Sequence, residues 1–280
     1  MYCPIETHQF ITTWQNSFPL NLKNDYSSEW IDNRELGYFG FIPKNPIAIF
    51  LGTFPVPEQR TSGFFYHSDA NFFWTILSTI TGCNLMPLDN KLSWLSKNRI
   101  AISDILCKVR RTDKNCSSRA DKDLIAICYN NIFKLLETYP TITDIFLTSG
   151  GPTSKSLSGK SAGGWLGLHL REATGRNLKR ISSNKATLTV QLRPNLKQIN
   201  LHFLITPAPQ DDRLGEHLRD SLTAGQALNN INNLRCVLTM KEKYKSFQWA
   251  TYLSKLQGVV STPLLQELTS ENIDNILMER

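Results

Sequence analysis

The run Ile47-Ala-Ile-Phe-Leu51 is apolar throughout, with no polar alternation, which is the pattern of a strand buried on both faces of a parallel sheet. It stops abruptly. Gly52, Pro55 and Pro57 end the strand and stiffen a loop at its carboxyl end, the place where open α/β sheets hold their ligands. Three adjacent aromatics follow, Phe64, Phe65 and Tyr66, and then Asn71-Phe-Phe-Trp-Thr-Ile-Leu77 has the apolar spacing of a helix, expected over 69–80 before Gly82 breaks it. Rings beside a strand-end loop can stack a flat ligand.

Similar runs recur along the chain. Ile100–Leu106, Ile142–Thr148 and Ile199–Ile205 read as further strands, ending respectively in a basic loop, in Ser149-Gly-Gly-Pro152 and in Thr206-Pro-Ala-Pro-Gln210. Between them, Ser118-Arg-Ala-Asp121 offers a helix cap, with Leu124, Ile125, Cys128, Ile132, Leu135 and Leu136 at helical spacing. Helices are also expected over 6–16, after Asp211 or Asp212 (Leu214, Leu218, Leu222), from Thr239 through Trp249 to Leu256, and over 258–280. The stretch between Gly82 and Ile100 reads as a polar connection, and Thr187–Leu192 as an edge strand or hairpin arm.

The order strand, Gly-x-x-Pro loop, aromatic cluster and Asn-x-Phe-Trp at a helix head resembles the first motif of the uracil-DNA glycosylase superfamily, nearest its mismatch-specific and hypoxanthine-type branches. The loop at 206–213 resembles the second motif, a Pro-containing loop that wedges a side chain into DNA. The resemblance implies an α/β fold, a three-layer α/β/α sandwich around a central, mostly parallel four-stranded sheet. Residues 1–46 would form an N-terminal cap, 47–258 the glycosylase-like domain with a basic insertion at 153–198, and 259–280 a helical appendage. It also implies DNA as the partner, no cofactor, no metal, and no obligate protein partner.

Charge supports a polyanionic partner. The net charge is +7, yet residues 153–200 alone carry nine basic residues against the single acid Glu172, so 9 − 1 = +8 and the rest of the chain sums to −1. So local a patch is the footprint of nucleic acid binding. Ser154, Lys155 and Lys160 in the insertion, Lys108, Arg110 and Arg111 after the second strand, and Pro209, Gln210 and Arg213 in the Pro loop are the candidate DNA contacts. Gly159-Lys160-Ser161 imitates a phosphate loop, but Ser154 occupies the place of its first glycine and no convincing helical period follows. The six cysteines form no C-x-x-C pair, so neither a zinc site nor a disulfide framework is indicated, and reduced thiols in the cytoplasm, near the nucleoid, fit best. No membrane span or signal peptide is recognisable.

Breaking an N-glycosidic bond inside DNA requires extrusion of the nucleotide, followed by a transition state with positive charge on the sugar and negative charge on the departing base. Phe65 or Tyr66 would stack on the base, main-chain amides from Thr53 and Phe54 onward would meet the base's charge, and Asn71 would orient water or else only cap its helix. Asp104, inside an apolar run, is a candidate catalytic carboxylate, though a buried carboxylate bonding backbone is the preferred reading. No lysine lies in either motif, which points to water as the nucleophile. Phe54, Ser149 and Thr206 stand where uracil-processing relatives carry an Asn, an Asn and a His. The resemblance therefore implies a base other than plain uracil: hypoxanthine, or a hypermodified phage cytosine in an antiviral role. The alternative is a glycosylase-like module that binds DNA or protein without chemistry.

Overall fold

The computed structural model describes residues 3–8, 29–33, 37–55, 64–66, 71–112, 116, 120–149, 161–174, 179–183, 187–191, 198–204, 207, 249, 250, 253, 256 and 259. In chain order the strands are β1 (Ile5–Thr7), β2 (Glu29–Asn33), β3 (Tyr38–Ile42), β4 (Ala48–Gly52), β5 (Ile100–Asp104), β6 (Leu106–Arg111), β7 (Leu124–Tyr129), β8 (Asp144–Leu147), β9 (Lys179–Ser183), β10 (Thr187–Gln191) and β11 (Gln198–Phe203). The helices are α1 (Phe73–Thr81), α2 (Leu88–Asn98), α3 (Ile132–Thr138) and α4 (Ala162–Thr174). The chain divides into two compact units, residues 1–68 with 88–204, and residues 69–87 with 205–280.

The first unit is built on a mixed sheet in the order β2-β3-β5-β4-β8-β11-β10-β9. Neighbours among β5, β4, β8 and β11 run parallel, while β2, β3, β10 and β9 extend the sheet antiparallel on both sides. Among the described residues the sheet thus has eight strands, where a central, mostly parallel sheet of four was expected. Every residue of β4 and β5 is buried, which explains their unbroken apolar sequences. Ile49, Leu51, Ile145, Leu147, Leu201 and Phe203 form one core with Ile132, Leu135 and Leu136 of α3 and Leu166 of α4. Full burial of each such side chain contributes about 1.5–3 kcal/mol. Gly163 permits the close approach of α4, because a Cβ there would lie 2.7 Å from Phe203 Cε1.

A second sheet, β1-β6-β7, is antiparallel throughout. Cys3, just before β1, is joined by a disulfide to Cys116 in the β6–β7 connection, against the expectation of reduced thiols throughout. Cys83, Cys107 and Cys128 are free.

Several expected elements differ. The helix expected over 6–16 begins instead as β1, which turns Glu6 inward toward Arg111 of β6. Leu124–Tyr129 is a strand, because the apparent helical period straddled two elements: Ile125 and Ile127 face solvent from β7, and α3 starts only after Asn131, whose Oδ1 accepts from Lys134 N at 2.9 Å. The presumed polar connection before Ile100 contains α2, which buries Leu92, Trp94 and Leu95. Helix α4 does follow Ser161. Its Gly-rich start hides the period, but Ser161 Oγ accepts from Gly164 N at 3.2 Å. Strand β10 pairs on both sides, leaving β9 as the edge.

In the second unit, α1 starts at Phe73 and ends at Gly82, whose φ of 66° is the left-handed cap conformation glycine adopts without strain. Phe73 packs edge-on against Trp249, with ring centroids 5.3 Å apart, and Trp249, Ala250, Leu253, Leu256 and Val259 are buried. Phe72 N donates to Pro207 O at 3.0 Å, tying the helix head to the Pro loop. The helix expected around Leu214, and all but Val259 of the one expected over 258–280, lie outside the described residues.

Candidate active site at the carboxyl edge of the parallel strands

Strands β4, β5 and β8 run parallel and end together, so Gly52-Thr53, Asp104 and Thr148-Ser149 emerge along one edge of the sheet in the first unit. The gap between them is narrow. A Cβ on Gly52 would collide with Asp104 Oδ1 and with the Tyr66 hydroxyl, so glycine is what lets carboxylate and phenol meet over the strand end. Tyr66 sits there with a φ of 55°, an uncommon conformation for a side-chain-bearing residue, and its hydroxyl lies 3.0 Å from Thr148 Oγ1. Burial, then the nearby Asp104 charge, pushes the Tyr66 phenol well above its ordinary pKa, so it stays a neutral hydroxyl.

Asp104 is buried and held from both sides. Its Oδ2 is 2.8 Å from His8 Nε2, and its main-chain carbonyl accepts from Asn130 Nδ2, also at 2.8 Å. Asn130 further bonds Ser103 Oγ and the Phe39 backbone, which fixes the end of β5. The preferred sequence reading of Asp104, a buried carboxylate bonding backbone, needs amending: its side-chain partner is a histidine. His8 in turn lies among rings, with centroids 4.5 Å from Phe39, 5.6 Å from Phe54 and 5.8 Å from Phe65.

A second carboxylate completes the cluster. Asp121 begins a 3-10 turn ahead of β7, and its Oδ2 accepts from Thr53 Oγ1 at 2.7 Å and from Ser149 Oγ at 3.4 Å. Ser149 Oγ is itself aligned by the head of α4, accepting from Ala162 N at 2.8 Å. Both bonds to Asp121 end on Oδ2, and no described group bonds Oδ1. Burial chiefly, and the Asp104 charge as well, push Asp121 up to about 6, against the pull of the Thr53 and Ser149 hydroxyls and of Arg111. From the sequence Asp121 read only as an acid in the first turn of a helix, where the chain instead forms a 3-10 turn and β7.

No protein-family model matches the sequence, and no curated protein matches it. Among solved structures, the chain is similar to the solution NMR structure of a "putative Uracil DNA glycosylase" from Methanosarcina acetivorans, at 15% identity over 79% of this chain and 97% of that one, with a TM-score of 0.41. A likeness at that score carries no information about the chemistry of the site.

The remaining expected site residues fall in different places. Thr53 and Phe65 are buried, and Phe54 and Tyr66 half-buried, at the strand edge. Lys108 is exposed and Arg110 half-buried on β6. Arg111, expected at DNA phosphates, is instead buried: its Nε donates to Glu6 Oε1 at 3.0 Å and its Nη2 to Pro55 O at 3.3 Å, which anchors the strand-end loop. Asn71 belongs to the second unit, where its Oδ1 accepts from Phe73 N at 2.9 Å just ahead of α1, whose N-cap residue is Phe72. Ser154, Lys155, Lys160, Thr206, Pro209, Gln210 and Arg213 lie outside the described residues. Among the described residues, no group of three or more His, Cys, Asp or Glu is placed to hold a metal ion, and no helix is long and apolar enough to cross a membrane.

Proposed function

We propose that this chain is a monofunctional DNA glycosylase, which takes a base extruded from DNA at the carboxyl edge of β4, β5 and β8 and hydrolyses its N-glycosidic bond to leave an abasic site. The observation that supports it most is the convergence of Asp104, Asp121, Tyr66 and Thr53 at one strand end. As the glycosidic bond lengthens, positive charge grows on the sugar, and the fixed carboxylate of Asp104 is the proposed group that stabilises it. Main-chain amides of Thr53 and Phe54 are the proposed partners of the charge on the leaving base. Phe54, Phe65 and Tyr66 are the rings for it to stack on.

The sequence supplies the remaining roles: Asn71 orienting water, Lys108, Arg110 and the basic insertion holding phosphates, and Pro209-Gln210 filling the space a flipped base leaves. The substrate is a base other than plain uracil, either hypoxanthine or a modified cytosine, and excision of a phage-specific base would make the protein a defence enzyme. Incubation with duplexes containing uracil, hypoxanthine or hypermodified cytosine, followed by alkali, tests the reading. Strand breaks that disappear in Asn71→Ala are expected. Tight binding with no breaks on any duplex would instead identify a binding module.

A further inference from the structure

A carboxamide at a strand end would offer a base one donor beside one acceptor. Here the Ser149 hydroxyl is occupied between Ala162 N and Asp121 Oδ2. Thr53 Oγ1 is turned toward the same Oδ2. Two strand ends therefore point their hydroxyls at one carboxylate, and the atom left for a ligand is Asp121 Oδ1. Resting on the glycosylase reading, we propose that Asp121 is the specificity-determining residue of the site, accepting through Oδ1 a hydrogen bond from an exocyclic amino group, so that the substrate class is amino-bearing, cytosine-type bases and not keto bases such as uracil or hypoxanthine.

The chemistry follows from hydrogen-bond inventory. An ionised carboxylate accepts and cannot donate, whereas a carboxamide does both. An amino edge gives that carboxylate N–H groups to bind, the pairing of Asp or Glu with the amino group of cytosine. A keto oxygen at the same position would face another acceptor with no proton between them, and a site that leaves buried polar groups unpaired discriminates strongly. Ionisation at neutral pH is opposed by burial and by Asp104 on β5, which faces Asp121 together with the Tyr66 phenol, and favoured by the Thr53 and Ser149 hydroxyls and Arg111 on β6, while Lys122 and Asp123 flank it on its own turn. Protonated Asp121 would gain a donor and resemble the carboxamide, so discrimination should weaken as pH falls below about 6.

The test compares excision rates on duplexes carrying a central uracil, hypoxanthine, 5-hydroxymethylcytosine or its glucosylated form, for the intact protein, Asp121→Asn and Asp121→Ala, at pH 5.5 and 7.5. The intact protein should prefer the amino bases. Asp121→Asn, which restores a donor beside an acceptor, should shift the ratio of amino-base to keto-base excision by about tenfold or more toward keto bases. Asp121→Ala should lose the amino bases without gaining keto ones, and thermal melting of both variants establishes that they are folded. Preference of the intact protein for keto bases, or an unchanged ratio in Asp121→Asn, overturns the inference while leaving the glycosylase reading intact. No excision of any base by the intact protein overturns that reading, and this inference with it.

Discussion

The parallel sheet carries a histidine–aspartate pair near each edge, and the two are built to opposite ends. At the amino edge, Asp144 Oδ1 lies 2.7 Å from His202 Nε2 and 3.2 Å from Asn200 Nδ2, while Thr143 Oγ1 donates to its Oδ2 at 2.7 Å. Burial alone would raise the pKa of Asp144, but the bonds from His202, Thr143 and Asn200 outweigh it and hold the carboxyl below its ordinary value. Both oxygens are occupied. At the carboxyl edge, Asp104 has His8, but a second carboxylate stands close by with one oxygen open and its pKa pushed up to about 6. A bonding set that satisfies its charge stabilises a fold, whereas a cluster of like charges left partly unsatisfied stabilises little and is poised to act on something else.

The sharpest way to break this contrast is to disturb each edge separately. Gly52→Ala places a methyl group where Asp104 Oδ1 and the Tyr66 hydroxyl now meet. Asp104 is tied to His8 and the Tyr66 hydroxyl to Thr148, so their displacement should cost about 1–3 kcal/mol in urea unfolding, while excision should fall about 100-fold because the displaced groups no longer face the reacting sugar. Asp144→Ala should do the reverse. Removing the shared acceptor takes away the carboxylate that the almost wholly buried His202, Asn200 and Thr143 all bond, at a cost of about 2–4 kcal/mol, with excision by the remaining folded protein little changed. If both variants lost activity and stability in the same proportion, the two edges would not differ in kind.

Much of this contrast can be read in the sequence, because burial on both faces writes itself as continuous apolar runs. Ile47–Leu51, Ile100–Leu106, Ile142–Thr148 and Ile199–Ile205 each match the strand expected of them to within two residues at either end, and their carboxyl ends could be named in advance. What lay beyond reading were partnerships across long stretches of chain. Arg111 looks like one member of a basic run until Glu6, 105 positions earlier, is brought beside it by β1 pairing with β6. Cys3 and Cys116 are 113 positions apart, with no spacing pattern to announce a bond. Asp121 was hidden twice, since an acid shortly after Ser118 imitates a helix cap, and only the return of the chain through β7 sets it against Thr53 and Ser149. Strand β7 itself was obscured because its exposed Ile125 and Ile127 defeat the usual association of apolar residues with a buried face.

The smallest expected effect separates the two edges by sign. Asp121 has a folded pKa of about 6, above its ordinary value of 3.8, so between those values the native protein binds more of this proton than the unfolded chain does. Its contribution to stability is therefore complete below about pH 4 and is lost as pH rises through 6. Asp144, whose pKa is lowered, contributes in the other direction: its share is present above the ordinary carboxylate range and lost as pH falls through its depressed value. Since Asp121 is half-buried and its charge partly screened by water, the difference should come to about 1 kcal/mol. Urea unfolding of the intact protein and of Asp121→Asn across pH 4 to 8 measures it. The variant, lacking the titrating group, should gain on the intact protein as pH rises through 6 and hold that gain above. A constant offset across the range would mean that Asp121 titrates as it does in water, and that the carboxyl edge is as well satisfied as the amino one.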